Sequence, residues 1–246
     1  FLVTAAMTVS APLMAWALEH DIVILHTNDI HCGINDNIGF AGLAQIKKDA
    51  LARTPNVALV DAGDAIQGAP IGKLSRGLAV VDIMNYLGYD FCIPGNHEFD
   101  YGMDRFKELV PLQRAGYYCA NFVYAGNNKQ VLPGYKIMQY EDTKVAFVGA
   151  STPESLTTST PTFFQNEKGK YIYSFCEDKT GNKLYKQLQK NIDKARKEGA
   201  DYVFIVGHLG MDGTTPQWSS ESVAKNTQGV DAVIDGHSHE RFTRMV

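Results

Sequence analysis

Five short clusters hold most of the side chains in this sequence that could do chemistry: Asp29-Ile30-His31, Gly63-Asp64, Gly95-Asn96-His97-Glu98-Phe99-Asp100, Gly207-His208 and Gly236-His237-Ser238-His239. Five of the seven histidines fall in them, where chance placement would scatter the rings over helices, loops and strand interiors. Their donors are carboxylate and amide oxygens and imidazole nitrogens, a set suited to zinc, manganese, iron or cobalt. So many imidazoles argue against a purely magnesium or calcium site. Asp29, His31, Asp64, Asn96, His208, His237 and His239 together exceed a single tetrahedral shell, and a carboxylate such as Asp64 can bridge two cations. Two divalent ions roughly 3.5 to 4 Å apart form a clamp for in-line displacement at phosphorus. Hydrolysis of a phosphate ester is therefore the chemistry implied. His97, next to Asn96 but off the metals, is the candidate proton donor to a leaving alkoxide, and Asp100 would fix its tautomer.

The pairs Asp29/His31 and His237/His239 are spaced i, i+2, which projects both side chains to one side of an extended chain. His26, inside an apolar run, reads instead as a hydrogen-bonded core residue, and His20 as an exposed one. The glycines before Asp64, Asn96, His208 and His237 suit strand-end turns and close approach of backbone to an ion or phosphate. The segment Gly68 to Leu74 is not a Walker loop, because its glycines are four apart and Leu74 stands where Ser or Thr is required.

The elements that must position these clusters alternate in the α/β manner. Strands are predicted at Asp21–Asn28, Asn56–Asp64, Phe91–Pro94, Tyr135–Tyr140, Lys144–Ser151, Asp201–Gly207 and Asp231–Gly236, with Tyr117–Val123 closing the first half. Helices are predicted at Gly39–Arg53 with Leu43, Ile46 and Leu51 inward, at Leu78–Leu87, Met103–Arg114 and Asn182–Gly199, and near Ser219–Asn226. Thr152 to Lys170 reads as loop. Five strands end in the five polar clusters, and ligands of open α/β sheets bind beyond the carboxyl ends of strands, so one convergent site is expected. The lysine row of the Asn182–Gly199 helix fits a solvated face better than an anion site.

A chain of 246 residues, 45% hydrophobic and 20% charged, can bury a substantial core, which excludes disorder as its main state. The net charge of −4 gives no general attraction to nucleic acid or an anionic bilayer. Four cysteines without a Cys-x-x-Cys pair exclude a thiol-based zinc ribbon or redox motif. Cys92 and Cys119 suit buried free thiols, whereas Cys176 lies in a polar stretch expected to be exposed. Phe1–Leu18 is uncharged and apolar but interrupted by Pro12, too short for a comfortable span. Ala15-Trp16-Ala17 has the small-x-small form of a signal-peptidase site. The expectation is a leader remnant over residues 1–17 and a secreted, periplasmic or cell-surface protein without a membrane span.

His26-Thr-Asn-Asp29-Ile-His31, Val60-Asp-Ala-Gly-Asp64, Gly95 to Asp100, Gly207-His208 and Gly236 to His239 stand in the order and approximate spacing of the calcineurin-like metallophosphoesterases. In particular the chain resembles the secreted 5'-nucleotidase/UDP-sugar hydrolase family from about Asp21 to Glu240. That resemblance implies an α/β fold in four layers, two mixed sheets with helices outside. Asp29, His31, Asp64 and His239 would hold one metal, Asn96, His208 and His237 would complete a second, and Asp64 would bridge. His97 and Asp100 would form the catalytic dyad. It further implies a nucleotide substrate and a separate C-terminal substrate-binding domain, so that residues 18–246 are read as an incomplete catalytic domain. Cys32 departs from the glycine expected after His31, which leaves a thiolate ligand or a small lining side chain open. A 2',3'-cyclic nucleotide phosphodiesterase/3'-nucleotidase shares these motifs. The rival of a different class is a non-catalytic module stabilised by metal, for which an off-metal proton donor has no use.

Overall fold

The strand β3, Val57–Asp61, is buried at every position, as expected of a strand covered on both faces. It lies between β2 (Val23–Thr27) and β4 (Phe91–Cys92), parallel to both. The computed structural model describes residues 3–5, 21–211 and 215–246. Val3–Ala5, β1, pairs antiparallel with β2 and makes the first sheet mixed. The remainder of the predicted leader lies outside the described residues.

A second sheet has the order β10-β9-β7-β6, built from β6 (Tyr135–Tyr140), β7 (Thr143–Ser151), β9 (Tyr202–His208) and β10 (Ala232–Ile234). It is parallel except for the hairpin β6-β7. A small ribbon pairs β5 (Val123–Tyr124) with β8 (Tyr173–Ser174).

Side-chain alternation sorts each strand into layers. Ile24, Ala58, Val60 and Phe91 of the first sheet meet Val145, Phe147, Phe204 and Val206 of the second in the central core. On the opposite face of the first sheet, Leu25, Val57 and Leu59 pack with α1 (Gly39–Leu51), α3 (Leu78–Leu87) and α4 (Met103–Leu109). On the outer face of the second sheet, Ala146, Val148, Val203 and Ile205 pack with α6 (Asn182–Lys197) and α7 (Ser220–Lys225). The order is helix, sheet, sheet, helix, the four layers expected.

Local chemistry explains the departures from the sequence reading. The helix predicted to Arg114 stops at Leu109 and tightens into a 3-10 turn over Val110–Leu112, because Pro111 lacks the N–H that an α-helix needs. Leu51, predicted inward, is half exposed at the end of α1. Most of Tyr117–Val123 is not strand, apart from a bridge from Tyr117 to Cys92 and the start of β5 at Val123. The helix α2 (Pro70–Ser75) begins inside the rejected Walker-like segment, with Pro70 in its first turn. Within the predicted loop, α5 (Ser155–Thr158) and a 3-10 turn over Pro161–Phe164 form. Cys176 is buried, and all four cysteines are free. The lysines of α6 are exposed opposite buried Leu184, Leu188 and Ile192, the solvated face expected. No described helix is long and apolar enough to cross a membrane.

Candidate active site

Alternation along β9 turns His208 to the same face as Phe204 and Val206, so its ring lies fully buried beside the ends of β2 and β3. Its Nδ1 donates to the carbonyl of Ala62 at 2.8 Å, and its Nε2 lies 3.0 Å from Asp64 Oδ2 and 4.0 Å from Asp29 Oδ1. Ligand atoms of Asp29, Asp64 and His208 fall within 4.8 Å of one another, and so do those of Asp29, His31 and His239. In the latter group the two imidazole Nε2 atoms are 3.3 Å apart, and His239 Nε2 is 3.3 Å from Asp29 Oδ1. The groups adjoin: Asp29 belongs to both, and Asp64 Oδ2 is also 3.8 Å from His31 Nε2.

The i, i+2 residues do not lie on extended chain, and of the two predicted pairs only Asp29 and His31 share a donor group. Asp29, His31, Asp64, His237 and His239 all have φ between 46° and 81°, a left-handed conformation that is costly for residues with a Cβ. Each strand end curls, which aims backbone and side chain together at the pocket. Gly63 and Gly95 let the loops after β3 and β4 touch. A Cβ on Gly63 would meet the Gly95 nitrogen at 2.6 Å, and one on Gly95 would meet Asp64 Oδ1 at 2.2 Å.

A carboxylate that the sequence reading passed over ties those loops. Glu98, 1% exposed, accepts from the backbone nitrogens of Gly95 (2.6 Å), Asp64 (2.8 Å), Ala65 (2.8 Å) and Ile66 (3.2 Å). Burial and the Asp64 charge push Glu98 up to about 7. Its neighbour Phe99 is fully buried among the rings of Phe106, Phe122, Phe164 and Phe175, at 4.8 to 5.6 Å between centroids. Burying such a ring stabilises by about 1.5 to 3 kcal/mol and fixes the 3-10 turn His97–Phe99. The only signal in the sequence was a charged residue beside an aromatic one, which is too common to mark a role.

That turn presents His97. Its Nδ1 is 2.6 Å from Asp100 Oδ2, its backbone nitrogen donates to Asp64 Oδ1 at 2.8 Å, and its ring meets that of His31 edge-on at 5.2 Å. The Asp100 hydrogen bond raises His97 above its ordinary value against the opposing effect of partial burial. Asp100 Oδ1 in turn accepts from Ser159 Oγ at 3.0 Å.

One predicted ligand, His237, stands outside the tight groups. His237 has its ring 4.9 Å from that of His208, but its Nε2 is 3.4 Å from Glu154 Oε2, a residue the sequence did not single out. Burial, reinforced by the charge of His208, lowers His237. Asn96 is 2% exposed and its Oδ1 is buried without a hydrogen-bond partner. Of the other residues singled out, Cys32 is buried with its Sγ turned to the Ala65 carbonyl and belongs to neither donor group, which suits a packed side chain; burial pushes the thiol up to about 12. His26 is half-buried on β2 and not in the core expected for it, its Nδ1 has no hydrogen-bond partner among the described residues, and burial lowers it to about 4.

The donor set fits divalent cations. Carboxylate oxygens and imidazole nitrogens face one another at 3 to 4 Å across the pocket, and Asn96, whose neighbour His97 donates its backbone N–H to Asp64, has a buried Oδ1 without a partner among the described residues.

Residues 22–241 match the calcineurin-like phosphoesterase family. The snake venom 5'-nucleotidase of Gloydius brevicauda is 28% identical over 257 residues, covering 97% of this chain and 40% of the venom protein. The 2',3'-cyclic-nucleotide 2'-phosphodiesterase/3'-nucleotidase of Haemophilus influenzae is 26% identical, over 97% of this chain and 40% of that protein. Among solved structures, the calcineurin-like phosphoesterase YfkN from Bacillus subtilis superposes with a TM-score of 0.76 at 25% identity, covering 91% of this chain and 74% of that one. The chain thus spans about 40% of the length of these two curated relatives.

Proposed function

The chain belongs to the calcineurin-like phosphoesterase family, and on that premise we propose that residues 18–246 form the catalytic domain of an exported phosphomonoesterase that hydrolyses nucleoside 5'-monophosphates with two divalent cations. The observation that carries the reading is the pair of adjoining donor groups, Asp29/His31/His239 and Asp29/Asp64/His208, with the His97–Asp100 pair at their edge. In this assignment Asp29, His31, Asp64 and His239 would hold one cation and Asp64, Asn96, His208 and His237 the other. Cations bound there supply charge neutralisation at the phosphoryl oxygens and activate an attacking water.

The chain's own residues do the rest. Nδ1–H of His97 donates to Asp100, which leaves Nε2 to carry the proton given to the departing ester oxygen. The hydrogen bond from the His97 backbone to Asp64 links the position of that donor to the metal pocket. Glu98 keeps the two loops together so that neither can shift alone. The greater length of the relatives supports a further domain of the same protein that selects the substrate, and the apolar residues 1–17 support a leader.

Release of phosphate from AMP by the metal-loaded protein expressed from its complete reading frame is the test. No release, with fold and bound metal verified, overturns the reading. The likeness to the Haemophilus protein favours a second one, a cyclic nucleotide phosphodiesterase and 3'-nucleotidase built on the same centre. Activity on 2',3'-cyclic AMP and 3'-AMP but not 5'-AMP would select it.

A further inference from the structure

The Asp100 carboxylate is held at both oxygens: Oδ2 faces His97 Nδ1 at 2.6 Å and Oδ1 accepts from Ser159 Oγ at 3.0 Å. With one anchor alone the carboxylate could pivot about its Cβ–Cγ bond and carry the imidazole with it. The second bond removes that freedom. Ser159 is 7% exposed, and the segment that bears it is pinned on both sides. Upstream, the Thr152 nitrogen donates to the His208 carbonyl at 2.8 Å, and Ser155 Oγ donates to the Thr152 carbonyl at 2.8 Å. At α5 itself, the Ser159 nitrogen closes the turn on the Ser155 carbonyl. Downstream, Phe164 lies against Phe99, the residue that anchors the turn carrying His97 and Asp100.

We propose that Ser159 is a positioning residue for proton transfer, aligning Asp100 so that His97 delivers the proton of its Nε2 to the leaving oxygen. The inference rests on the phosphomonoesterase reading and deepens it. In the step concerned a hydroxide oxygen bonds to phosphorus, giving hydrogen phosphate, as the P–O ester bond breaks; the electron pair of that bond stays on the alkoxide oxygen, which takes the proton from His97 Nε2, leaving the imidazole neutral. A nucleoside alkoxide needs that proton. A p-nitrophenolate, a far weaker base, leaves without it.

The leaving group therefore separates alignment of the proton donor from general damage to the site. With the metal-loaded protein from the complete reading frame, Ser159→Ala is expected to lower kcat for AMP about tenfold. The KM for AMP, kcat for p-nitrophenyl phosphate, bound metal per chain and melting temperature should stay as in the wild type. In the Asp100→Ala background the same substitution should cost nothing more on AMP. Equal losses on both esters, no loss on AMP, or additive loss in the double variant would each overturn the inference. A wild type that cleaves p-nitrophenyl phosphate and glycerol 2-phosphate but not AMP refutes the nucleotide assignment only, and the comparison is then made on glycerol phosphate. A wild type that cleaves no ester refutes the phosphomonoesterase reading, and the role of Ser159 with it.

Discussion

His208 Nε2 faces Asp64 Oδ2 at 3.0 Å while Nδ1 of the same ring lies 2.8 Å from the carbonyl oxygen of Ala62. A carbonyl only accepts, so Nδ1 keeps its proton, and Nε2 confronts a carboxylate with a lone pair unless a proton or cation lies between them. Burial disfavours charge on this ring, but Asp64 outweighs it and raises His208 to about 10. The same pairing, helped by His97, holds the Asp64 carboxyl well below the usual range despite its burial.

Metal and proton should therefore compete at His208. Titrating zinc or manganese into chelator-treated protein is expected to release protons, read by calorimetry in buffers of different ionisation enthalpy. The melting temperature should rise with metal concentration, by about 2.7 kcal/mol of stability at a hundred times Kd. Buffer-independent heats and an unchanged melting temperature would sink this account.

Glu98→Gln replaces an acceptor of four backbone hydrogen bonds by a side chain whose amide nitrogen can only donate. The expected loss is about 2 to 4 kcal/mol of stability in the metal-free protein, together with weaker metal binding. Chemical denaturation and a metal titration measure the two. A variant as stable as the wild type would remove Glu98 from its assigned role.

Asp61 gives a pH signature. Burial and the Glu98 charge push it up to about 8, against a bond from Thr27 Oγ1 at 2.7 Å and one from the Gly63 nitrogen at 3.1 Å. Its folded value lies above its ordinary 3.8, so the folded chain binds more protons between those values, and stability falls as pH rises through that window. One such group contributes a slope of at most about 1.4 kcal/mol per pH unit. Asp61→Asn should lessen the fall in metal-free stability between pH 5 and 8, leaving the falls from Asp235, raised to about 6, Glu98, raised to about 7, and His208, raised to about 10. An identical pH dependence in the variant would contradict this assignment.

His97→Ala should separate binding from turnover. The ring lies outside both tight donor groups, so metal content should persist while kcat on AMP falls by about 10² to 10⁴. Unchanged turnover would show that another group protonates the leaving oxygen.

The chemistry of the donor set was legible in the sequence because residue type alone decides whether an atom can bind a cation, and the places of the buried strands along the chain were legible because apolar runs and their period follow from burial. Alternation along β9 even fixes which face His208 takes. What could not be read were relations between segments remote in the chain. His31 and His239 meet across 208 positions, and Ser159 reaches Asp100 across 59. Glu98 closes bonds with backbone 32 to 34 residues upstream. Such contacts leave no periodic trace, since one polar side chain in a turn looks like any other until the chain has folded. The left-handed backbone at Asp29, His31, Asp64, His237 and His239 is of the same kind. Local preference opposes it, and only the packing of two sheets and their loops supplies the energy that holds it.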